Sequence, residues 1–152
     1  MQVIETKDAT LVHEIMMDAF SEYADDPIPA GALNETLEQA EERLATIDRA
    51  YVLEDEGEAL ASVRFRQEDD YLYFYRLAVR RKARGKGYAK ELIRVLEQEA
   101  EKLGLRAVRC NVRLMIASNI QLYKSLGYQE IQRREVERHG EIIVLVTMEK
   151  EQ

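Results

Sequence analysis

Hydrophobic and polar positions along the chain repeat with two periods, and the switches between them mark the elements. Val3, Ile4 and Glu5 read as a short strand, and Thr6 or Asp8 can cap the helix after it. Leu11, Val12, Ile15, Met16, Ala19 and Phe20 recur at spacings of three and four, which predicts a helix ending near Tyr23. Residues 25–31 carry two prolines and a glycine and predict a turn. A second stripe, Leu33, Leu37, Ala40, Leu44 and Ile47, predicts a second helix. Residues 50–53 and 59–65 read as strands around an acidic turn that contains Gly57. A polar turn at 67–70 then leads into the aromatic run Tyr71–Val79, of strand length. Ala89, Leu92, Ile93, Leu96, Ala100 and Leu103 return to helical spacing, with Gly104 as C-cap. Residues 107–112 predict a strand, and Ser118 with Gln121 has capping-box spacing for a helix that carries Tyr123 and stops at Gly127. Residues 128–137 and 141–148 close the chain as a hairpin turning at Arg138, His139 and Gly140.

The order is β-α-α-β-β-β-α-β-α-β-β. It combines antiparallel hairpins with one crossover around the long helix. The expected class is α/β of the α+β kind, with a mixed, mostly antiparallel twisted sheet of about seven strands flanked by about four helices. No repeat, linker or low-complexity segment interrupts it, so residues 1–152 are read as one domain.

Composition narrows the function classes. Hydrophobic residues make up 46% and charged residues 34%, the balance of a soluble globule. No run approaches the ~18 apolar residues of a membrane span. The start of the chain shows neither a basic segment nor an apolar stretch of the secretory kind, so a cytoplasmic location and no membrane partner are expected. A single cysteine, Cys110, gives no internal disulfide, and with two distant histidines no metal site is expected. The net charge of −7 argues against a nucleic-acid partner. Between Arg76 and Arg94, however, eight Lys or Arg face one acid, Glu91, leaving 14 basic and 28 acidic residues elsewhere. A basic island on an acidic chain suits a small polyanion.

That island sits on the turn between the aromatic strand and the long helix, with Gly85 and Gly87 in it. The first amides of a helix lack partners within it and carry the positive end of its dipole. Glycines without Cβ let an anion approach such amides. An ordinary βα turn with a solvated basic face accounts for the same residues and stays open at this point. Two phosphate loops are excluded. A P-loop needs four residues between its glycines and a hydroxyl after its lysine, and a dinucleotide fingerprint needs a third glycine where Lys90 stands. That fingerprint also expects an acid ending the next strand, which ends near Cys110 and Asn111.

Lys82, Ala83, Arg84, Gly85, Lys86, Gly87, Tyr88 and Ala89, following Arg76, Leu77, Ala78 and Val79, resemble the acyl-CoA loop of the GNAT superfamily of N-acetyltransferases. Lys82 stands where that pattern has Gln or Arg, and the charge is kept. Residues 117–128, with Asn119 four residues before Tyr123 and then Leu126, Gly127 and Tyr128, resemble the family's second signature. The signatures cover roughly residues 71–128, and the element order matches over the whole chain.

The resemblance implies acetyl-CoA as co-substrate and transfer of its acetyl group to a primary amine, either a small molecule or a peptide. It implies that amides from Arg84 through Gly85, Lys86, Gly87 and Tyr88 to Ala89 take the pyrophosphate. It further implies that Leu77, Ala78 and Val79 hydrogen-bond the pantetheine arm, with a strand bulge freeing an N–H near Leu77 to polarise the thioester. Tyr123 would be the general acid for the departing thiolate, and Asn119 would orient the pantetheine or the helix start. Glu22, Asp25, Glu137 and His139 are candidate bases, though each by itself is read first as a surface residue and only second as the base. Tyr73 and Tyr75, grouped by period two with Leu77 and Val79, could line the acceptor pocket or pack the core. His13 is read as a surface or capping residue, and Cys110 as a small buried apolar one. The competing reading is a module that binds acyl-CoA without turnover; a nucleotide binder is a distant third. The closing hairpin could support a homodimer.

Overall fold

Where the apolar period changes from 3.6 to 2, the backbone changes with it. The computed structural model describes residues 1–23, 31–114, 116–138 and 140–152. Among these the elements are β1 (Gln2–Thr6), α1 (Ala9–Phe20), α2 (Leu37–Thr46), β2 (Arg49–Asp55), β3 (Glu58–Glu68), β4 (Tyr71–Val79), α3 (Tyr88–Lys102), β5 (Ala107–Arg113), α4 (Ala117–Ser125), β6 (Gln129–Arg138) and β7 (Glu141–Glu151). The seven strands form one mixed sheet in the order β1-β2-β3-β4-β5-β7-β6. The expected element order and the expected class both hold. Among the described residues, no helix is long and apolar enough to cross a membrane, and no group of acids, histidines and cysteines could hold a metal ion.

Contacts gather the chain into two compact units. The first comprises Met1–Arg66 and Phe74–Leu96. In it β1 pairs antiparallel with β2, and β2 with β3. Helix α1 sets Ala9, Val12, Ile15 and Ala19 into a core with Leu44 of α2, Ala50 and Val52 of β2, and Ala78 of β4. Full burial of a Val or Leu side chain stabilises by about 1.5–3 kcal/mol, so this stripe is what holds α1 to the strands. Asp8 caps α1 by accepting the Leu11 N–H at 3.1 Å.

The second helix starts later than its apolar spacing suggests. Leu33 lies in a separate 3-10 turn, Gly31–Asn34, because Thr36 and Gln39 form a capping box that fixes the start at Leu37. Ile47 is the C-cap of α2 and is exposed rather than part of its buried face.

The second unit comprises Gln67–Tyr73 and Glu97–Gln152. Here β4 pairs parallel with β5 from Tyr71↔Ala107 to Tyr73↔Arg109. The antiparallel β5–β7 ladder runs from Ala107↔Glu151 to Arg113↔Leu145, and β6 pairs antiparallel with β7 and forms the sheet edge. Gly104, with φ of 70°, ends α3 as expected. α4 begins at Ala117, so the cap position falls on Ile116 and not on Ser118, and Ile116 makes no side-chain cap bond. Gly127 ends α4 with φ of 96°, and the Tyr128 N–H reaches back to the Tyr123 carbonyl at 3.0 Å.

Candidate active site

The site begins in β4, where the strand changes face. Ala50 stands opposite Arg64 in the β2–β3 ladder, and paired residues share a face. Ala50 belongs to the α1 core, and Arg64 donates to the Met16 sulfur of α1 at 3.2 Å, so this face looks toward α1. The Arg64 guanidinium lies 5.1 Å from the Tyr75 ring centroid, and Ala78 packs into the same core. Tyr75 and Ala78 therefore share a face although they stand an odd three positions apart. Period two instead groups Tyr75 with Leu77 and Val79, and the structure corrects that grouping. The extra residue is absorbed at Arg76, whose φ of 54° is left-handed. That conformation costs an L-residue roughly 1–2 kcal/mol. Left-handed residues inside strands accompany β-bulges and concentrate at strained sites, and this one stands immediately before Leu77.

Beyond Val79 the chain makes a 3-10 turn, Arg81–Ala83, and buries Ala83. Gly85 and Gly87 both have φ of 80°, and apart from the adjoining backbone no atom of the described residues lies within 4 Å of where a Cβ would stand on either. The backbone conformation requires glycine at both positions, and the space beside them is open. Gly87 accepts the Glu91 N–H at 3.1 Å as α3 starts, so the amides of Tyr88, Ala89 and Lys90 fall in the unpaired first turn. The Tyr88 side chain turns inward and donates to Asp55 at 2.6 Å. That bond pushes the Tyr88 hydroxyl up to about 12 and holds the Asp55 carboxyl below its usual range. Only the backbone of Tyr88 is thus available to a ligand. Lys82 and Lys86 line a cleft of about 390 Å³ with Asp55, Glu56, Glu58, Leu60, Ala83 and Tyr88.

The basic island is less free than its sequence implies. Lys82 pairs with Glu58 at 2.7 Å, Arg80 with Glu14 at 3.2 Å, and Arg84 with Glu22 at 2.7 Å. Of the candidate bases, Glu22 is therefore a partner of Arg84. Glu137 lies on the exposed edge strand β6, and Asp25 and His139 fall outside the described residues. His13 is half-buried, its Nε2 2.8 Å from the Glu35 carbonyl oxygen.

The second unit holds the other two candidates, both on α4. Asn119 is half-buried and donates its backbone N–H to Ile116 O at 3.1 Å. Tyr123 is 6% exposed, its ring 6.0 Å from that of Tyr128. Burial pushes the Tyr123 phenol well above its ordinary range, with nearby Cys110 adding to the effect, so it stays protonated at neutral pH. Cys110 is itself buried and its thiol is pushed up by burial. Tyr128 donates to Glu97 at 3.1 Å, and Lys150 donates to the same carboxylate at 2.8 Å.

Several polar residues are not legible in the sequence as parts of a site. Arg64 is fully buried and bidentate to Glu35, and buried Asp48 accepts the Tyr75 hydroxyl. Asn111 donates to the Tyr73 hydroxyl at 3.3 Å and accepts from Thr147 at 2.7 Å. Alternating Ser62, Arg64 and Arg66 on β3 looks like a solvent face, and nothing local signals that α1 covers it.

The central strand of a mixed sheet thus carries a left-handed residue and runs through a Gly-rich loop into a helix start. The profile of the acetyltransferase (GNAT) family matches residues 10–128, and the chain belongs to that family. Acetyl-CoA-dependent acetyl transfer is the family's general activity. Compared with curated protein sequences, the chain has no significant match. Solved structures share its fold at low identity. The structure of smu.2055 from Streptococcus mutans UA159 has a TM-score of 0.82 at 17% identity, over 99% of both chains. The ribosomal-protein-alanine N-acetyltransferase from Brucella melitensis has 0.78 at 17%, over 100% of both. A spermidine N-acetyltransferase SpeG chimera from Vibrio cholerae and hSSAT has 0.78 at 17%, over 100% of this chain and 96% of that one.

Proposed function

We propose that residues 1–152 form one N-acetyltransferase domain that moves the acetyl group of acetyl-CoA to a primary amine by direct attack. The observation that carries this reading is the left-handed Arg76 followed within one loop by two open, left-handed glycines at a helix start. Amides from Arg84 to Ala89 take the pyrophosphate, and the edge of β4 at Leu77, Ala78 and Val79 takes the pantetheine arm. A donor such as the Leu77 N–H, fixed where oxyanion charge develops, is worth on the order of 3 kcal/mol. The amine nitrogen bonds to the acetyl carbon, the C–S bond breaks, and the sulfur receives a proton from Tyr123; the attacking nitrogen loses its own proton to a base or to water. Holding the amine at the thioester supplies the proximity that direct attack needs. Two of the fold neighbours are a ribosomal-protein-alanine N-acetyltransferase and a spermidine N-acetyltransferase chimera, both named for amine acceptors, which supports an amine acceptor here.

The burial of Tyr123 favours a second reading, an acyl-CoA binder without turnover, because a deeply buried phenol is a reluctant acid. Titration of the protein with acetyl-CoA, ATP and NAD, followed by an amine screen that detects free thiol, separates the two. We expect micromolar binding of acetyl-CoA alone, and thiol release with at least one amine. Binding without release in any amine leaves the second reading; no binding removes both. With an active amine in hand, Tyr123→Phe should cut turnover about 100-fold and leave CoA affinity within about twofold. Undiminished turnover would reduce Tyr123 to a packing residue.

A further inference from the structure

Glu14, Asp18 and Glu22 lie four residues apart, on one face of α1 and of the 3-10 turn Ser21–Tyr23 that continues it. Like charges at this spacing repel, and acids near a helix C-terminus oppose its dipole, so the run is locally unfavourable. Each acid nevertheless meets the loop between β4 and α3. Glu14 accepts from the Arg80 guanidinium at 3.2 Å, and Asp18 accepts the backbone N–H of Arg81 at 2.9 Å. Glu22 accepts from Arg84 at 2.7 Å, and Arg84 also donates to the Ala19 carbonyl at 2.6 Å. Successive turns of one helix thus grip both ends of the 3-10 turn that leads into Gly85 and Gly87.

We propose that this acid ladder positions the anion loop, so that carboxylates beside a polyphosphate site strengthen the binding of the polyanion. The inference rests on the reading of the loop as the CoA site. Its physical basis is preorganisation: a loop already fixed loses less freedom when the ligand arrives. Simple charge counting gives the opposite sign, since removing an acid near an anion should tighten the complex.

Asp18 separates the two. Asp18→Ala removes both the charge and the acceptor for the Arg81 N–H, whereas Asp18→Asn removes the charge and keeps the acceptor. Calorimetric titration with CoA should show Asp18→Ala binding about 10-fold more weakly than the wild type. Asp18→Asn should stay within about twofold of it, and the pair Glu22→Ala and Glu22→Gln should follow the same order. Melting temperatures without ligand, measured alongside, should not track this order of affinities, because a general loss of stability would not be selectively rescued by the amide. An alanine variant that binds CoA as well as or better than the wild type overturns the ladder. A wild type that does not bind CoA overturns the loop reading, and the ladder with it.

Discussion

Gly87→Glu is expected to lower CoA affinity by at least about 100-fold, or about 2.7 kcal/mol, while the protein remains folded. Both halves of that expectation come from the same geometry. Apart from the adjoining backbone, no atom of the described residues lies within 4 Å of a Cβ at Gly87, so a side chain there meets space and not the core. The backbone φ of 80° strains any L-residue, by roughly 1–2 kcal/mol. That cost lowers the melting temperature by a few degrees, since a chain of this size loses about 2–4 °C per kcal/mol. The carboxylate, by contrast, would stand where the helix-start amides are aimed. It would compete for those amides and repel the incoming phosphates. Gly87→Ala isolates the strain without the charge and should lose distinctly less affinity than Gly87→Glu. CoA titrations of both variants, with thermal melts as the control for folding, decide it. A Gly87→Glu protein that binds CoA like the wild type would mean that the phosphates sit elsewhere.

The glycines of this loop are readable because a left-handed turn before an amphipathic helix leaves a compositional mark. The bulge before it is not. In Tyr71–Val79 the residue that turns left-handed is Arg76, not a glycine or asparagine, and no local preference predicts it. Period-two counting therefore carries Tyr75 to the wrong face-mates, and only the packing of Ala78 against α1 reveals the extra residue. The charge of the loop is hidden for a different reason. Arg80 and Arg84 are visible as basic residues, but their partners Glu14 and Glu22 lie more than 60 positions away in the chain. Sequence alone cannot separate a free cation from a paired one at that distance. Helix starts divide in the same way. Asp8 and the Thr36–Gln39 box act through spacing of three residues, whereas α4 begins without any side-chain cap.

Glu35→Ala is expected to destabilise the protein by about 3–5 kcal/mol, the cost of leaving a buried charge without its partner. Arg64 is 0% exposed and Glu35 only 8%, and the two join through both terminal guanidinium nitrogens, Nη1 at 3.0 Å. Among the described residues, the other contacts of Arg64 are the Met16 sulfur, a weak acceptor, and the face of the Tyr75 ring. Neither replaces a carboxylate. For a chain of this length the loss should appear as a fall in melting temperature on the order of 10 °C. The pair itself need not be stabilising, because withdrawing both ions from water costs about as much as their attraction returns. Glu35→Leu combined with Arg64→Met should therefore be considerably more stable than Glu35→Ala alone. Denaturant titration of Glu35→Leu, Arg64→Met and the double variant, alongside Glu35→Ala, measures that non-additivity. A single variant that loses less than about 1 kcal/mol would place the pair among solvated surface bridges. The main chain offers a control within the same residue: His13 touches the Glu35 carbonyl, a contact that Glu35→Ala leaves in place. The loss in that variant is then the charge pairing at Arg64, and with it the tie between β3 and the residue that leads into the Thr36 cap of α2.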